Sequence, residues 1–340
     1  YIADRRIIKL TEDRKVETPI FWPNTFPYFN ENFMPLLAGD YITFIGASGE
    51  GKSTFARWLA RHFATVAEKS EDEYTLYASV EEYLEKVHSG TAATPYPFRD
   101  IVKGKGDIKK VREIAADNLG LRVNYLAPSY YHEEGEPIEI TFDIIKKELM
   151  SKKYNSAILD YIQICKPHAG YRGERLQQVM EMSIAVQNFV KFEFKRPFVA
   201  LAQSNQKVKE SQKKIPTLYD AQWSSQIGQD SDINFGFWNI SRDLPLGSMF
   251  KINIKNIEYT LPVLKGMAIL TVNKWRDCEE AVGVSILVGT NYKGRSGEVY
   301  EIDEEWASTL QEDEVKRYIK MGYNNINNFQ ILHKKWEKND

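Results

Sequence analysis

The chain has little of several features that mark other classes of protein. It contains only two cysteines, Cys165 and Cys278, among 340 residues, so disulfides cannot extend beyond one bridge. No stretch approaches the ~18 apolar residues that span a membrane, and no signal-like apolar segment follows Tyr1. We therefore expect neither secretion nor a membrane span, and a reducing, cytoplasmic setting is indicated.

Strong charge of one sign is also lacking. The net charge is −2 and no long basic run occurs, which argues against coating nucleic acid through bulk charge but leaves room for a local basic channel. Apolar residues make up 43% of the chain, enough for a substantial core. The length fits about two domains, or one large α/β domain with extensions. Because the sequence does not begin with Met, we expect residues upstream of it.

The most informative stretch is YITFIGASGEGKST, residues 41–54. Residues 41–45 are typical of a short apolar strand, and residues 55–67 have helical spacing. Between them, residues 46–53 match the phosphate-loop pattern G-x-x-x-x-G-K-[ST]. The motif therefore stands in the strand–loop–helix context that it requires, and it predicts binding of ATP or another nucleoside triphosphate.

Each part of this loop has a physical task. Its glycines let the backbone turn so that N–H groups point at phosphate oxygens, and the next helix begins there with its positive dipole end. Lys52 supplies charge to the outer phosphates, and Ser53 offers a hydroxyl to Mg²⁺. We expect the nucleotide to be held by Gly46, Ala47, Ser48, Gly49, Glu50, Gly51, Lys52, Ser53 and Thr54.

Polar side chains follow three other predicted strands. The strand over residues 74–79 leads to Glu81 and Glu82, either of which could orient the attacking water; an acidic first turn of a helix is the alternative. The apolar strand over residues 156–159 ends at Asp160, as a Mg²⁺ site requires. The strand over residues 198–203 ends at Gln203. Ligands bind at this edge of parallel sheets.

Alternation of strands and helices through residue 203 predicts a RecA-like phosphate-loop ATPase core with a mostly parallel central sheet. Predicted strands over residues 233–239, 250–255, 267–273 and 282–288 follow without helices between them, so we expect antiparallel pairing. Helices are predicted near residues 307–321 and 326–336. We therefore divide the chain into an arm (1–25), an ATPase domain (26–290) and a helical extension (291–340).

From about residue 26 to about residue 288, the chain resembles the ATPase domain of the DnaB-type ring helicases. The resemblance is carried by seven stretches in order, which are FPYFNENFMPLLAGDYITFIG, SVEE, ILDYIQI, ERLQQVMEMSIAVQNFVKF, ALAQSNQ, PTLYDAQWSSQIGQDSD and NKWRD. SVEE is similar to the family's S-L-E-M, ILDYIQI to I-D-Y-L-Q-L, and ALAQSNQ to A-L-S-Q-L-N-R.

The resemblance implies a role for each matching residue. It makes Glu81 the catalytic glutamate, Asp160 the acid beside the metal and Gln203 the sensor of the γ-phosphate. NKWRD is similar to the family's K-x-R finger, so Lys274 and Arg276 are implied to reach the nucleotide of the next subunit. If the last strand continues through Arg276, both cations leave the same face while Trp275 packs opposite. Within one subunit we expect such a pair to find no compensating partner, unless nearby acids such as Asp277 or Glu279 supply it.

One stretch departs from the family. Where the family's DNA loop carries Arg-Glu-Ser-Gly, this chain has Gln222, Trp223, Ser224 and Ser225, so a phosphate-contacting arginine is missing. Trp223 could stack on a base or pack against the sheet. The lysines of residues 205–214 could contact DNA or belong to a solvated loop. The expected DNA contacts are Arg172, Arg175, Lys207, Lys209, Gln222, Trp223 and Ser225.

The implied function is a ring-forming, ATP-dependent helicase that moves on single-stranded DNA and unwinds duplex DNA in replication, as a hexamer in a bacterial or phage-infected cell. A primase, a loader or another replication protein is an implied partner. Two alternatives remain open: a RecA-like ATPase without unwinding activity, and a nucleotide-gated loading factor for a partner helicase.

Overall fold

The computed structural model describes residues 20, 22–67, 73–84, 86–87, 109, 122–128, 139–211, 214–290 and 299–321. The predicted helix at residues 326–336 and most of the predicted arm at residues 1–25 lie outside these ranges. None of the helices in the described part is long and apolar enough to cross a membrane.

The chain alternates strands and helices through its first two thirds. The strands are β1 (Tyr41–Gly46), β2 (Tyr74–Ser79), β3 (Val123–Leu126), β4 (Tyr154–Asp160), β5 (Phe198–Gln203), β6 (Ile233–Trp238), β7 (Met249–Ile254), β8 (Ile257–Pro262), β9 (Met267–Trp275), β10 (Ser285–Thr290) and β11 (Val299–Glu301). The helices are α1 (Pro27–Asn32), α2 (Lys52–Ala67), α3 (Phe142–Ser151), α4 (Arg175–Asn188), α5 (Gln206–Glu210), α6 (Gln226–Asp230), α7 (Ile240–Asp243), α8 (Glu304–Thr309) and α9 (Glu312–Met321).

A nine-stranded sheet forms the centre of the molecule, in the order β11-β10-β9-β6-β1-β5-β4-β2-β3. The strands from β6 to β3 in this order run parallel, whereas β9, β10 and β11 are antiparallel to their neighbours. This confirms the predicted mostly parallel sheet with antiparallel strands on its C-terminal side. The phosphate-loop strand β1 lies near the middle and is buried along its whole length, as its apolar sequence predicts.

Helices and loops cover both faces of this sheet. On one face, Phe44, Phe235 and Trp275 belong to an aromatic cluster that packs beneath α2. On the other face, Val179 and Met182 of α4 pack with Ile45 and Leu159. Burial of this kind contributes about 1.5–3 kcal/mol per large apolar side chain. The sheet is thereby held as a rigid platform for the loops that follow its strands.

Several local predictions differ from the structure. The apolar spacing of residues 176–194 predicts one long helix, but the α-helix ends at Asn188 and a π-helix follows over Phe189–Phe194. Residues 205–214, for which DNA contact and a solvated loop are the two alternatives, contain the short helix α5. The predicted helix 307–321 is two helices, α8 and α9. The predicted strand 282–288 begins instead at Ser285.

The strand predicted at 250–255 is β7, which pairs with an unpredicted strand, β8, in a separate hairpin. The turn residues Lys255 and Asn256 have φ of 51° and 65°, the left-handed backbone that a two-residue hairpin turn requires. A lysine in this position is a weak sequence signal, which explains why the hairpin was missed.

The proposed division at residues 25 and 290 stays a prediction. Trp22 packs in the core, and β11, beyond residue 290, pairs with β10 in the main sheet. Lys255 of the hairpin turn forms ion pairs with Glu301 of β11 (2.8 Å) and Glu304 of α8 (3.0 Å), so residues beyond 290 also contact the hairpin.

Candidate functional site

The carboxyl ends of the parallel strands bring the predicted nucleotide residues to one edge of the sheet. Gly46 is the register partner of Gln203, and Ser79 is the partner of Asp160. The segment with both glutamates follows Ser79 directly, and the backbone N–H of Val80 donates to the Asp160 carbonyl at 2.9 Å. Ligands bind at this edge in sheets of this type.

The phosphate loop has the backbone that its glycines predict. Gly49 and Gly51 have φ of 80° and 97°, in the region that favours glycine. A Cβ on Gly46 would lie 2.9 Å from the Phe237 carbonyl oxygen, so a side chain there would collide with β6. The Lys52 ammonium donates to the carbonyl oxygens of Gly46 (2.7 Å) and Ala47 (2.8 Å), which holds its charge over the loop.

Asp160 and Ser53 form the oxygen set expected for Mg²⁺. Asp160 is buried and accepts hydrogen bonds from the Tyr77 hydroxyl (2.8 Å) and from the Ser53 side chain. Burial raises the pKa of Asp160, while these hydrogen bonds and the charge of Arg57 oppose the rise. Among the described residues, no group of three or more His, Cys, Asp or Glu side chains could hold a metal. A carboxylate and a hydroxyl oxygen side by side fit a Mg²⁺ ion that takes its other ligands from phosphates and water.

The two neighbouring glutamates lie in different environments. The Glu82 carboxylate pairs with Arg57 at 3.0 Å and with Lys86. Glu81 is exposed and makes no hydrogen bond or ion pair with another described residue. Partial burial, and then the charges of Asp160 and Glu82, raise the pKa of Glu81, while Lys86 and Lys52 oppose them. Of the two glutamates, Glu81 is thus the one whose carboxylate is open to solvent, and a raised pKa suits a group that takes up a proton.

Gln203 is held by a residue that sequence reasoning missed. The buried Gln163 side chain accepts from the Gln203 N–H at 3.1 Å and donates to the Gln203 carbonyl at 2.8 Å. The Gln163 carbonyl accepts from Arg175 at 3.0 Å. Gln163 therefore joins the proposed γ-phosphate sensor to the start of α4. The polar residue three places after Asp160 in ILDYIQI was the available signal.

The proposed DNA contacts fall on two segments near this edge and on α5. Arg172 is exposed in the loop before α4, and Arg175 begins that helix. Lys207 is exposed in α5, which follows β5. The side chain of Lys209 lies outside the described part of the structure.

The segment with Gln222, Trp223 and Ser225 is tied to the same edge. The Gln222 N–H donates to the Gln203 carbonyl at 2.7 Å, and Ser225 precedes α6. Trp223 has φ of 73° and is 53% exposed. About half of the Trp223 surface is therefore available to an external partner.

Lys274 and Arg276 lie at the other end of the parallel strands, where β1 and β6 begin. Trp275 pairs with Ile233, which is level with Ile42 near the start of β1. Trp275 is buried and packs against Trp22, Phe29 and Phe33, as predicted. The strand ends at Trp275 instead of continuing through Arg276.

The expectation that the two cations find no compensating partner within one subunit is wrong. Lys274 donates to the carbonyl oxygens of Gln229 and Ser231 at the end of α6. Arg276 pairs with Asp232 at 2.9 Å, and not with Asp277 or Glu279. Its side chain remains 46% exposed, so a neighbouring molecule could still contact the guanidinium.

Two further residues beside the phosphate loop were not singled out from the sequence. Asn239 donates from its side chain to the Glu50 carbonyl at 3.0 Å. A Cβ on Gly49 would lie 3.0 Å from Nη1 of Arg242, so this exposed cation stands beside the loop. Both follow β6, and no pattern in the sequence indicates that β6 is the direct neighbour of β1.

The sheet order and the strand–loop–helix unit at Gly46 define the class of this protein as a RecA-like ATPase fold. The family model described as DnaB-like helicase C-terminal domain matches residues 23–238. The chain therefore belongs to the DnaB-like helicase C-terminal domain family, and the family resemblance inferred from the motifs is confirmed.

Known relatives agree with this assignment. The replicative DNA helicase DnaB of Leifsonia xyli subsp. xyli (strain CTCB07) is 29% identical over 215 residues, which cover 62% of this chain and 45% of that protein. The chain thus spans less than half the length of this relative. A solved ATPase domain has a similar fold, with TM-score 0.64 and 14% identity over 88% of this chain and 98% of that one. A second solved structure, of a DnaB-like replicative helicase and its interactions with primase, has a TM-score of 0.66 and 15% identity. The match covers 87% of this chain and 68% of that one.

Proposed function

We propose that this protein is a ring-forming, ATP-dependent motor that moves on single-stranded DNA and separates duplex DNA in replication, in the cytoplasm of a bacterial or phage-infected cell. ATP or another nucleoside triphosphate binds the phosphate loop, and Ser53 and Asp160 hold Mg²⁺, which neutralises charge on the phosphates. Glu81 orients the attacking water, and Gln203 contacts the γ-phosphate.

The position of Arg276 carries this proposal. Gly46 and Tyr41 stand at opposite ends of β1, about 17 Å apart at 3.3–3.4 Å per residue. The Asp232 carboxylate accepts from the Tyr41 N–H and pairs with Arg276, so Arg276 lies at the Tyr41 end of the strand. Arg276 is therefore far from the phosphate loop of its own chain. For Arg276 to act on a γ-phosphate from this position, the phosphate must be bound by another subunit, and the head-to-tail contacts of a ring supply such a site for every subunit.

The DNA side of the proposal is supported by the segments around Trp223 and Arg175, which share contacts with Gln203 and Gln163. Movement of Gln203 during hydrolysis would therefore displace both segments through these contacts. Trp223 would stack on a base, a contact worth about 1–3 kcal/mol that is available for any sequence.

The direct test is ATP hydrolysis with and without single-stranded DNA, on material whose mass in solution is known, together with unwinding of a forked duplex. We expect a hexamer, DNA-stimulated hydrolysis and strand separation. Hydrolysis without unwinding would instead favour a RecA-like ATPase of another kind. A stable stoichiometric complex with a partner helicase, without unwinding by this chain alone, would favour a loading factor.

The two glutamates give a sharp test of the hydrolytic roles. Glu81→Gln is expected to lower kcat by about 10²–10⁴-fold, the usual contribution of a general base, and to leave bound ATP uncleaved. Glu82→Gln should be mild by comparison, because the Glu82 carboxylate is already paired with Arg57 and Lys86 and is not the group that takes up the proton. Single-turnover hydrolysis measures both variants. The reverse order of effects would shift the catalytic position to Glu82.

Salt dependence tests the contact between DNA and the lysines that follow β5. Changing Lys207, Lys209, Lys213 and Lys214 together to alanine should make the plot of log affinity against log salt shallower, by about 0.7 for each contact to a phosphate that the change removes. Fluorescence anisotropy with a labelled oligonucleotide measures this slope. The matched control changes Lys146, Lys147, Lys152 and Lys153, of α3 and the turn into β4. An unchanged slope and affinity in the first variant would make residues 205–214 a solvated surface.

A further inference from the structure

Arg57 lies beside the proposed hydrolytic site and has no role in the proposed steps of hydrolysis. It stands on α2, one turn after Ser53, and its Nε donates to the Ser53 carbonyl at 3.0 Å. Its guanidinium pairs with Glu82 at 3.0 Å, and the two side chains are only 12% and 16% exposed. A nearly buried ion pair thus connects the phosphate-loop helix to the segment that carries Glu81.

This segment is held at three points around Glu81. The Val80 N–H donates to the Asp160 carbonyl at 2.9 Å, the Glu82 N–H donates to the Ser79 hydroxyl at 3.0 Å, and the Glu82 carboxylate is held by Arg57. Of these, only the ion pair reaches α2. It is therefore a direct connection between the segment that carries Glu81 and the helix that follows the phosphate loop.

Charge gives the pair a second effect. Two adjacent carboxylates and Asp160 lie close to the place where triphosphate oxygens would bind. Arg57 pairs with one oxygen of Glu82 and Lys86 pairs with the other, so the negative charge of Glu82 is compensated. Glu81 then remains the one carboxylate of this segment whose charge faces Lys52.

The pair is also a departure from the family segment. S-L-E-M carries methionine at the position of Glu82, so a carboxylate here is not needed for the family's chemistry. A buried carboxylate without a cation would be strongly unfavourable, because removal of one partner leaves a desolvated charge. Glu82 thus needs a cation close by, and Arg57 supplies it.

We propose that Arg57 is a positioning residue for hydrolysis: by clamping Glu82 to α2, it holds Glu81 at the distance from the phosphates at which Glu81 can orient water. This inference rests on the proposed ATPase function. It makes Arg57 and Glu82 a functional unit, so that losing either one is worse than losing both.

A double-mutant cycle tests the unit. Arg57→Met and Glu82→Met are each expected to lower kcat about 10–100-fold, the usual effect of removing a partner that orients a ligand or catalytic group. KM for MgATP should stay within about threefold, because the phosphate loop is unchanged. The double variant Arg57→Met/Glu82→Met should regain kcat to within about fivefold of wild type. Lys152→Met is the matched control, because it removes the cation paired with Glu148 of α3, away from the site, and it should keep the wild-type kcat.

The outcomes separate the inference from the function on which it rests. A wild-type chain that does not hydrolyse ATP would reject the proposed function, and the inference with it. An active wild type with fully active single variants, or a double variant as slow as the slower single one, would overturn the inference alone. If a single variant does not fold, as judged by thermal unfolding, Arg57→Lys replaces the planar fork by a point charge; we expect lower kcat at unchanged nucleotide affinity, and wild-type kcat would overturn the inference.

Discussion

Lys52→Ala is expected to abolish measurable ATP hydrolysis, because removal of one group that stabilises developing charge lowers kcat by about 10²–10³-fold. Its ammonium is the cation held over the phosphate loop by the carbonyl oxygens of Gly46 and Ala47, and electrostatic stabilisation of developing charge is usually the largest single contribution to catalysis. Phosphate release over time, on protein of verified fold, measures the effect.

The fold is expected to survive this change, because Lys52 is the first residue of α2 and the core residues of α2 are unchanged. Lys146→Ala is the matched control, since this lysine has an ion pair with Asp143 on α3, away from the loop. Normal turnover by folded Lys52→Ala protein would remove the ATPase function altogether. Loss of turnover together with loss of the thermal transition would require the experiment to be repeated with Lys52→Met.

Arg276→Ala is expected to be equally inactive, although Arg276 stands at the other edge of the sheet. A trans-acting arginine contributes about 10³–10⁵-fold to the rate of phosphoryl transfer. The defect should therefore appear in kcat, while nucleotide binding, which depends on the intact phosphate loop of the same chain, should stay near the wild-type value.

The matched control for Arg276 is Lys191→Ala. Lys191 is a second cation on the Asp232 carboxylate, at 3.2 Å, so its removal disturbs the same acid without touching the proposed finger. We expect this variant to hydrolyse ATP at close to the wild-type rate. If both variants were equally inactive, Arg276 would be needed for the local ion-pair cluster and not for a neighbour's nucleotide.

Mixing the two inactive proteins gives the strongest form of this prediction. A ring that contains Lys52→Ala and Arg276→Ala subunits has some interfaces at which Lys52 of one subunit and Arg276 of the next are both intact. Part of the activity should therefore return after subunit exchange. Full hydrolysis by Arg276→Ala, or by a strictly monomeric wild-type chain, would contradict a site shared between subunits.

Local patterns were sufficient to predict which residues meet at the carboxyl ends of the parallel strands. The phosphate loop, the buried strand before Asp160 and the strand before Gln203 are signals of a few residues each. Parallel strands then bring their carboxyl ends to one edge whatever the order of the strands, so the sequence could predict which residues meet there. The choice between Glu81 and Glu82 could be supported only by the tertiary structure, because the partner that occupies Glu82, Arg57, lies 25 positions earlier on another element.

By itself, the sequence determined the class of the fold, the phosphate loop and the family, because these depend on short-range spacing and on residue types with specific chemistry. Only the tertiary structure decided what surrounds each charged group: Arg276 on Asp232, Lys274 on the end of α6, Arg57 on Glu82 and Trp223 exposed at the sheet edge. These contacts join residues that are distant in the chain, and a charged side chain takes the nearest partner that packing provides. The spacing of residues along the sequence therefore does not predict which partner a charged side chain contacts.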